Sequence, residues 1–299
     1  MIEAKNLVKR FGEITALQSM NITVQDGSIY GLVGTNGSGK STFLRLTSGV
    51  YYPDEGSIQV ENQDVYEQPS LKDKIFFVPD ELYFLPQSTT EDMAHFYASQ
   101  YSGWDWEYYR KLVGIFPIDP KKRLNTFSKG MQRQAAILLA LSARSRYLLL
   151  DEAFDGLDPV IRGAVRRLLA DEVAQGNLTV IISSHNLREL EDLCDHVGIL
   201  HKGNILFSQE LDELKPGFCK VQAAFRPDRD IKEFSGITVM QYEKRGSLFN
   251  MVVRGNSAQV LEYLGQFQPV FAEALPLTLE EVFIHEMEDI GYDYSSIVF

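Results

Sequence analysis

The stretch that most constrains this chain is Gly34-Thr35-Asn36-Gly37-Ser38-Gly39-Lys40-Ser41-Thr42. It follows an apolar, strand-like run, Ile29-Tyr30-Gly31-Leu32-Val33, and precedes a helix-like run, Phe43-Leu44-Arg45-Leu46. Strand, glycine loop and helix in that order make a phosphate-binding loop. Gly34, Gly37 and Gly39 let the backbone turn back and point its N–H groups into one hollow. The positive end of the following helix faces the same hollow. In that setting Lys40 reaches the β- and γ-phosphates of a nucleotide as a point charge, and the Ser41 hydroxyl ligates Mg²⁺. The bland alternative is a glycine-rich turn with a chance Lys-Ser after it. The full spacing and the flanking elements weigh against that.

The chain of 299 residues is long enough for two domains, or for one α/β domain with an appendage. It is 44% hydrophobic and 23% charged, the balance of a globular protein with a sizeable core. Its net charge of -12 argues against nucleic acid as a partner, because phosphate backbones attract basic surfaces. The longest apolar runs, Ala135–Ala143 and Tyr147–Leu150, fall short of the roughly 20 residues a bilayer span needs. The start Met1-Ile2-Glu3-Ala4-Lys5 is not followed by a signal-peptide core. Cys194 and Cys219 form no CxxC pair and read as buried small hydrophobes in a reducing, cytosolic compartment.

Taken in order, Ile2, Leu7-Val8, Phe11, Ile14, Ile22–Val24 and Ile58–Val60 predict strands of a small antiparallel sheet. Phe11 is either a core residue, the default for an isolated aromatic, or a platform for a nucleobase. Ile75–Val78 predicts a strand ending at Pro79-Asp80-Glu81. Leu82–Pro86 is an apolar loop that either packs on a helix or docks another protein. From Thr89 to Ala143 the pattern is helical, and the dense aromatics Phe96, Tyr97, Tyr101, Trp104, Trp106, Tyr108 and Tyr109 suit a small helical core. Tyr147–Leu150 and Thr179–Ser183 predict buried parallel strands, Pro159–Ala174 a helix capped by Asp158, and Asn186–Cys194 another helix. Val197–His201 and Ile205–Phe207 predict a hairpin. Lys215-Pro216-Gly217 then punctuates the chain. Beyond it Lys220–Phe225, Thr238–Tyr242 and Leu248–Val253 predict strands, Ala258–Phe267 and Leu279–Met287 helices, and Asp289–Phe299 a loosely held tail.

Phosphate binding alone leaves the reaction open, and further elements narrow it. Asp151 and Glu152 end a buried strand, where one carboxylate can hold Mg²⁺ and the next can orient an attacking water. Phe127-Ser128-Lys129-Gly130-Met131-Gln132 opens a helix, where Ser128 and the Gly130 backbone make an anion site or, more plainly, an ordinary N-cap. Gly156-Leu157-Asp158-Pro159 follows, and His185 ends a strand where a γ-phosphate contact would be wanted.

Over about residues 1–215 these ordered motifs resemble the nucleotide-binding subunit of ABC transporters. The resemblance implies a P-loop NTPase of the α/β class with an antiparallel β subdomain, a helical subdomain at about residues 87–145 and, at residues 216–299, a small C-terminal α/β accessory domain. It implies ATP and Mg²⁺ as cofactors. Gly34–Thr42 looks like the Walker A loop, so that Gly34, Thr35, Asn36, Gly37, Ser38, Gly39, Lys40, Ser41 and Thr42 contact nucleotide. Phe127–Gln132 looks like the family signature in a variant form carrying Lys129 and Met131, with Ser128 and Gly130 as its phosphate contacts. Asp151 and Glu152 look like the Walker B aspartate and the general base, Gly156–Asp158 like the D-loop, and His185 like the switch histidine. Phe11 matches the aromatic that stacks on adenine, which reverses the default reading of that residue. On this resemblance Glu152, His185 and Lys40 are the catalytic residues, and Ser41, Asp151 and Asp80 face the metal. Asp80 departs from the family, which usually places Gln there.

In this family two subunits pair head to tail around ATP, so the implied partners are a second copy or a homologous subunit and integral-membrane permease chains, at the inner face of the cell membrane. The signature variant and the segment Leu277–Phe283 resemble bacterial half-transporters that export drugs and antibiotic peptides. The expected function is therefore an exporter's ATPase subunit. The rivals are an importer ATPase, a soluble ABC protein acting on ribosomes or DNA, and a non-hydrolysing sensor. A single such domain, the lack of a heptad run and the acidic balance weigh against the soluble type. Intact Glu152 and His185 weigh against the sensor.

Overall fold

A computed structural model of the chain describes residues 1–191, 193–211, 217–275, 277–278 and 280–281. They fall into two compact units, Met1–Leu211 and the described residues that follow. The first unit runs β1 (Ile2–Phe11), β2 (Ile14–Val24), β3 (Ile29–Val33), α1 (Lys40–Thr47), β4 (Glu55–Val60), β5 (Gln63–Asp64), α2 (Pro69–Lys72), β6 (Ile75–Val78), α3 (Thr90–Gln100), α4 (Trp106–Ile115), α5 (Lys129–Ser142), β7 (Tyr147–Asp151), α6 (Pro159–Ala174), β8 (Thr179–Ser184), β9 (His196–His201) and β10 (Asn204–Glu210).

Two sheets result. One is antiparallel in the order β2-β1-β4-β5, and the other has the order β10-β9-β3-β8-β7-β6. In the second, β9, β3, β8, β7 and β6 are parallel and β10 closes a hairpin on β9. Every residue of β3, β7 and β8 is buried, as strands covered on both faces require. Helix α1 packs in the same core as strands of both sheets, with Phe43 and Leu44 in one buried cluster with Leu7, Leu17, Leu149 and Ile181. The parallel pairing sets Val33 opposite Ser184, Asp151 opposite Ser183 and Val78 opposite Leu150. The carboxyl ends of these strands therefore share one edge, where α/β sheets bind ligands.

Between β6 and β7 lie α3, opened by a Thr89–Asp92 capping box, α4, capped by Asp105, and α5. The aromatics of this region pack on one another: Phe76 with Tyr97 and Tyr101, and Trp104 with Trp106 and Tyr109. The Leu82–Pro86 segment stays outside helices, with Tyr83 75% exposed.

One expected helix is corrected. Apart from residue 192, Asn186–Cys194 is a run of short turns around a 3₁₀ segment at Leu187–Glu189, with Asn186 as its cap. Leu187, Glu189, Leu190, Leu193 and Cys194 are all buried. At about 100° per residue, Leu187 and Glu189 would point to opposite sides of a regular helix, so burying both breaks the period.

The second unit holds β11 (Phe218–Ala224), β12 (Thr238–Arg245), β13 (Leu248–Arg254), α7 (Ser257–Gly265) and β14 (Phe271–Leu275), with all pairs antiparallel in the order β12-β13-β11-β14. Phe225, Phe249, Met251 and Val253 form its core with Val260 and Leu264 of α7. The short edge strand β14 carried no strand signal in the sequence: its five residues are mostly exposed and lack a clean alternation. The punctuation at Lys215-Pro216, the helix expected at Leu279–Met287 apart from residues 280–281, and the tail Asp289–Phe299 lie outside the described residues. Both cysteines are free and buried. Among the described residues no helix is long and apolar enough to cross a membrane.

Candidate functional site

The site is built where β3, β7 and β8 end beside one another. Gly34 continues β3 and donates its N–H to the Ser184 carbonyl at 3.2 Å, which ties the loop to β8. The loop turns through Gly37 at φ 79° and Gly39 at φ 115°. Side chains rarely adopt these conformations. A Cβ on Gly39 would also sit 2.7 Å from the Ala16 carbonyl oxygen. Gly39 is the N-cap of α1 and supplies no side-chain acceptor, so the N–H groups of the first turn remain able to bind an anion.

Lys40 begins α1 and is only 5% exposed. Its ammonium donates to the carbonyls of Gly34 at 2.6 Å and Thr35 at 3.3 Å and lies 3.1 Å from Glu152 Oε1. The other carboxylate oxygen, Glu152 Oε2, is 2.9 Å from His185 Nδ1 and accepts the His185 backbone N–H at 3.3 Å. The hydrogen bond to Glu152 raises the His185 pKa above its usual value against a burial cost, and the charges of Glu152, Asp155 and Glu189 add to the rise. Lys40, Glu152 and His185 thus form one charge-assisted line. A carboxylate fixed between the Lys40 ammonium and the His185 imidazole has the orientation that general-base chemistry requires.

Glu152 itself sits at φ 48°, in the left-handed region, which costs a non-glycine residue about 1–2 kcal/mol. Its N–H is held by the carbonyl and hydroxyl oxygens of Ser183, at 3.2 and 3.1 Å. Strained residues held in this way concentrate at functional sites. Asp151, fully buried at the end of β7, accepts from Ser183 Oγ at 2.6 Å through Oδ1. Its Oδ2 is buried without a hydrogen-bond partner. An orphaned, buried carboxylate oxygen is a hard-oxygen donor of the kind Mg²⁺ takes, and the Ser41 hydroxyl in the first turn of α1 is another. Asp155 joins from the next turn, and ligand atoms of Glu152, Asp155 and His185 lie within 4.8 Å of one another. Burial first, and then the Glu152 charge, raise the Asp155 pKa.

Ser128 caps α5 by accepting from the Met131 N–H at 3.3 Å. A Cβ on Gly130 would lie 2.5 Å from the Gly156 carbonyl oxygen, so the Phe127–Gln132 and Gly156–Asp158 segments touch within one chain. The Asp158 carboxylate is engaged as the N-cap of α6, accepting from the N–H groups of Val160 and Ile161. Phe11 is 43% exposed at the end of β1, edge-on to Tyr51 at 5.3 Å, with Lys9 over its ring. Thr35 is half-buried, Asn36 and Gly37 are exposed, and Ser38 is buried, all on the loop itself; Ser41 and Thr42 are half-buried in the first turn of α1.

Asp80 is placed by a contact the sequence did not suggest. It pairs with Arg133 at 3.1 Å, and the same guanidinium lies 3.4 Å from the Asp151 carbonyl oxygen. Asp80 is 53% exposed in this pair, which makes it worth at most about 1 kcal/mol. Asp80→Gln is therefore expected to leave the melting midpoint within about 2 °C and ATP affinity within about threefold. It is expected to change turnover by a factor of a few through Arg133 and Asp151, read as ATPase rate against Mg²⁺ and Mn²⁺. Identical metal curves and rates would place Asp80 outside the catalytic neighbourhood.

Besides Arg133, sequence reasoning passed over Ser183, Asp155, Arg162 and Glu189. Asp155 alone had a local signal, a third acid in Asp151-Glu152-Ala153-Phe154-Asp155.

A phosphate-binding loop between β3 and α1, a buried Asp-Glu pair at the end of β7 and a histidine just past β8, the strand that lies between those two, define a P-loop NTPase. Residues 17–155 match the family model described as ABC transporter. The chain is 30% identical over 284 residues to the ABC transporter ATP-binding protein YtrB of Bacillus subtilis (strain 168), covering 95% of this chain and 97% of that one. It is 31% identical over 229 residues to the bacitracin transport ATP-binding protein BcrA of Bacillus licheniformis, covering 72% of this chain and 71% of that one. A solved structure described as the ATP binding subunit of an ABC transporter superposes with a TM-score of 0.67 at 25% identity, covering 72% of this chain and 92% of that chain. The chain belongs to the ATP-binding subunits of ABC transporters.

Proposed function

We propose that this chain is the Mg²⁺-dependent ATPase subunit of an exporter, working as a head-to-tail dimer with permease chains at the inner face of the membrane. The observation that carries the reading is the Lys40–Glu152–His185 line lying beside the unpartnered Asp151 oxygen. Glu152 is the base that orients and deprotonates water, His185 and Lys40 hold the γ-phosphate region, and Ser41 with Asp151 hold the metal. Mg²⁺, when bound, neutralises charge on the phosphate oxygens. Phe11, exposed beside Tyr51, offers its face to adenine.

Dimerisation is supported by the division of labour within the domain. The contact made by the Ser128 hydroxyl is local to α5, while the loop Gly34–Thr42 is tied to β8 and Glu152. The signature helix end is thus available to a nucleotide held by a second copy or by a homologous subunit. Export is supported by the bacitracin-transport relative, and permease docking by the exposed Tyr83 and Leu85 in the loop after Asp80.

The test is expression together with any polytopic membrane protein that a neighbouring reading frame encodes. The chain should then sediment with membrane vesicles, hydrolyse ATP with Mg²⁺ but not with EDTA, and move cargo away from the face that bears it. A chain that stays in the supernatant, or cargo moving toward that face, would overturn the exporter reading. Hydrolysis undiminished by EDTA would overturn the metal assignment.

A further inference from the structure

Glu152 and His185 arrive on different strands, yet their side chains meet at 2.9 Å. The β7–β8 ladder aligns the chain only as far as Asp151 opposite Ser183. Beyond that point one segment runs on into Ala153–Asp158 and the other, after Ser184 pairs with Val33, into the turns after His185. The backbone ties there are the Glu152 N–H on Ser183 and the His185 N–H on Glu152 Oε2, and α6 adds a tie from outside the sheet.

Arg162, one turn into α6, touches both segments. Its Nη2 donates to the Phe154 carbonyl at 3.3 Å, on the segment that carries Glu152. Its Nη1 lies 3.2 Å from Glu189 Oε1, on the segment that carries His185. Glu189 is only 7% exposed. Its Oε2 accepts from Ser184 Oγ at 3.0 Å, and that hydroxyl in turn accepts the Asn186 N–H at 2.9 Å. The two residues flanking His185 are therefore fixed through Glu189. Arg166, one turn further along α6, donates to the Glu189 backbone carbonyl. A carboxylate this deeply buried needs a cation, and the planar fork of arginine can reach two acceptors where the point charge of lysine reaches one.

We infer that Arg162 and Glu189 form a brace that sets the distance between Glu152 and His185, and that both are positioning residues for ATP turnover without touching the nucleotide. This rests on the reading of Glu152 and His185 as residues that act on ATP. The brace also explains why the segment after His185 is not a regular helix: Glu189 has to turn inward to reach Arg162 while Leu187 and Leu190 stay buried.

The test uses the full chain and its ATPase activity. Arg162→Lys keeps the charge and gives up one arm of the fork. Glu189→Gln keeps the shape and gives up the charge. Each is expected to lower kcat about tenfold, the order that sub-ångström misplacement of a reacting pair costs, with KM for ATP changed less than about threefold. Combined, they should cost about tenfold and not a hundredfold, because both act through one contact. Losses that multiply, a rise in KM at unchanged kcat, or a lowered melting midpoint with kcat intact would overturn the brace. Glu152→Gln is measured alongside. If it turns over like the wild type, the reading of the site fails by itself. If it is inactive while Arg162→Lys and Glu189→Gln are fully active, the brace alone fails.

Discussion

Glu152→Gln should lower the ATP turnover number by about 10²–10⁴ while leaving ATP affinity within about threefold. The amide occupies the same volume and its carbonyl oxygen can still accept from His185, whose ring and backbone N–H now share Glu152 Oε2. What it cannot do is take a proton. The salt link to Lys40, 3.1 Å away, is lost, because the amide NH₂ then faces the ammonium and neither group can accept, which frees the ammonium for phosphate. Nucleotide is then held but not consumed, and a dimer closed around it should persist and be visible by size-exclusion chromatography in ATP and Mg²⁺. Turnover within tenfold of the wild type would remove Glu152 from the role of base. A strictly monomeric variant in saturating nucleotide would remove the sandwich dimer.

Lys40→Met should have the opposite signature, with loss of binding and not only of chemistry. Charge-assisted hydrogen bonds are worth about 1.5–3 kcal/mol, so ATP affinity should fall on the order of 10- to 100-fold. Methionine keeps most of the apolar stem, so packing is largely preserved. The chain should nevertheless lose stability, because the buried Glu152 carboxylate is left with His185 as its remaining partner of the line. Breaking a buried pair from one side costs up to about 3–5 kcal/mol, whereas replacing both partners is close to neutral. The double variant Lys40→Met with Glu152→Gln should therefore recover most of the urea midpoint lost by Lys40→Met, and recover no turnover. If Lys40→Met is as stable as the wild type and binds ATP equally well, the 3.1 Å contact carries no energy and Lys40 is not the phosphate ligand.

Much of the site was legible because its residues lie close together in the chain or at the ends of strongly patterned elements. Gly34–Thr42 is contiguous, and its glycines are needed by backbone geometry that no other residue tolerates well. Asp151 and Glu152 follow a run of four buried apolar residues, Tyr147–Leu150, that can only be an interior strand. The residues that escaped notice meet the site from elements far apart in sequence. Arg133 sits on α5, Arg162 on α6 and Glu189 in the turns after β8, and on a helix each looks like an ordinary charge. The expected helix at Asn186–Cys194 failed for the same reason. Periodicity records which residues are apolar, and it cannot show that an acid among them is also drawn inward by an arginine on another element.

By itself the sequence determined the fold class, the phosphate loop and the identity of the carboxylates and the histidine at the strand ends. The loop, the buried strands and the carboxylates at their ends follow from short-range rules of strand burial, glycine dihedrals and helix caps; the role read for His185 and the subdomain architecture came from the family resemblance. Only the tertiary structure decided who meets whom. It put Lys40 and His185 on the two oxygens of Glu152, turned Asp80 to Arg133, engaged Asp158 as a cap, and set Arg162 between the segments bearing Glu152 and His185. Such pairings depend on the register of parallel strands and on distances across the sheet edge. Those are fixed when the core packs, and no local pattern encodes them.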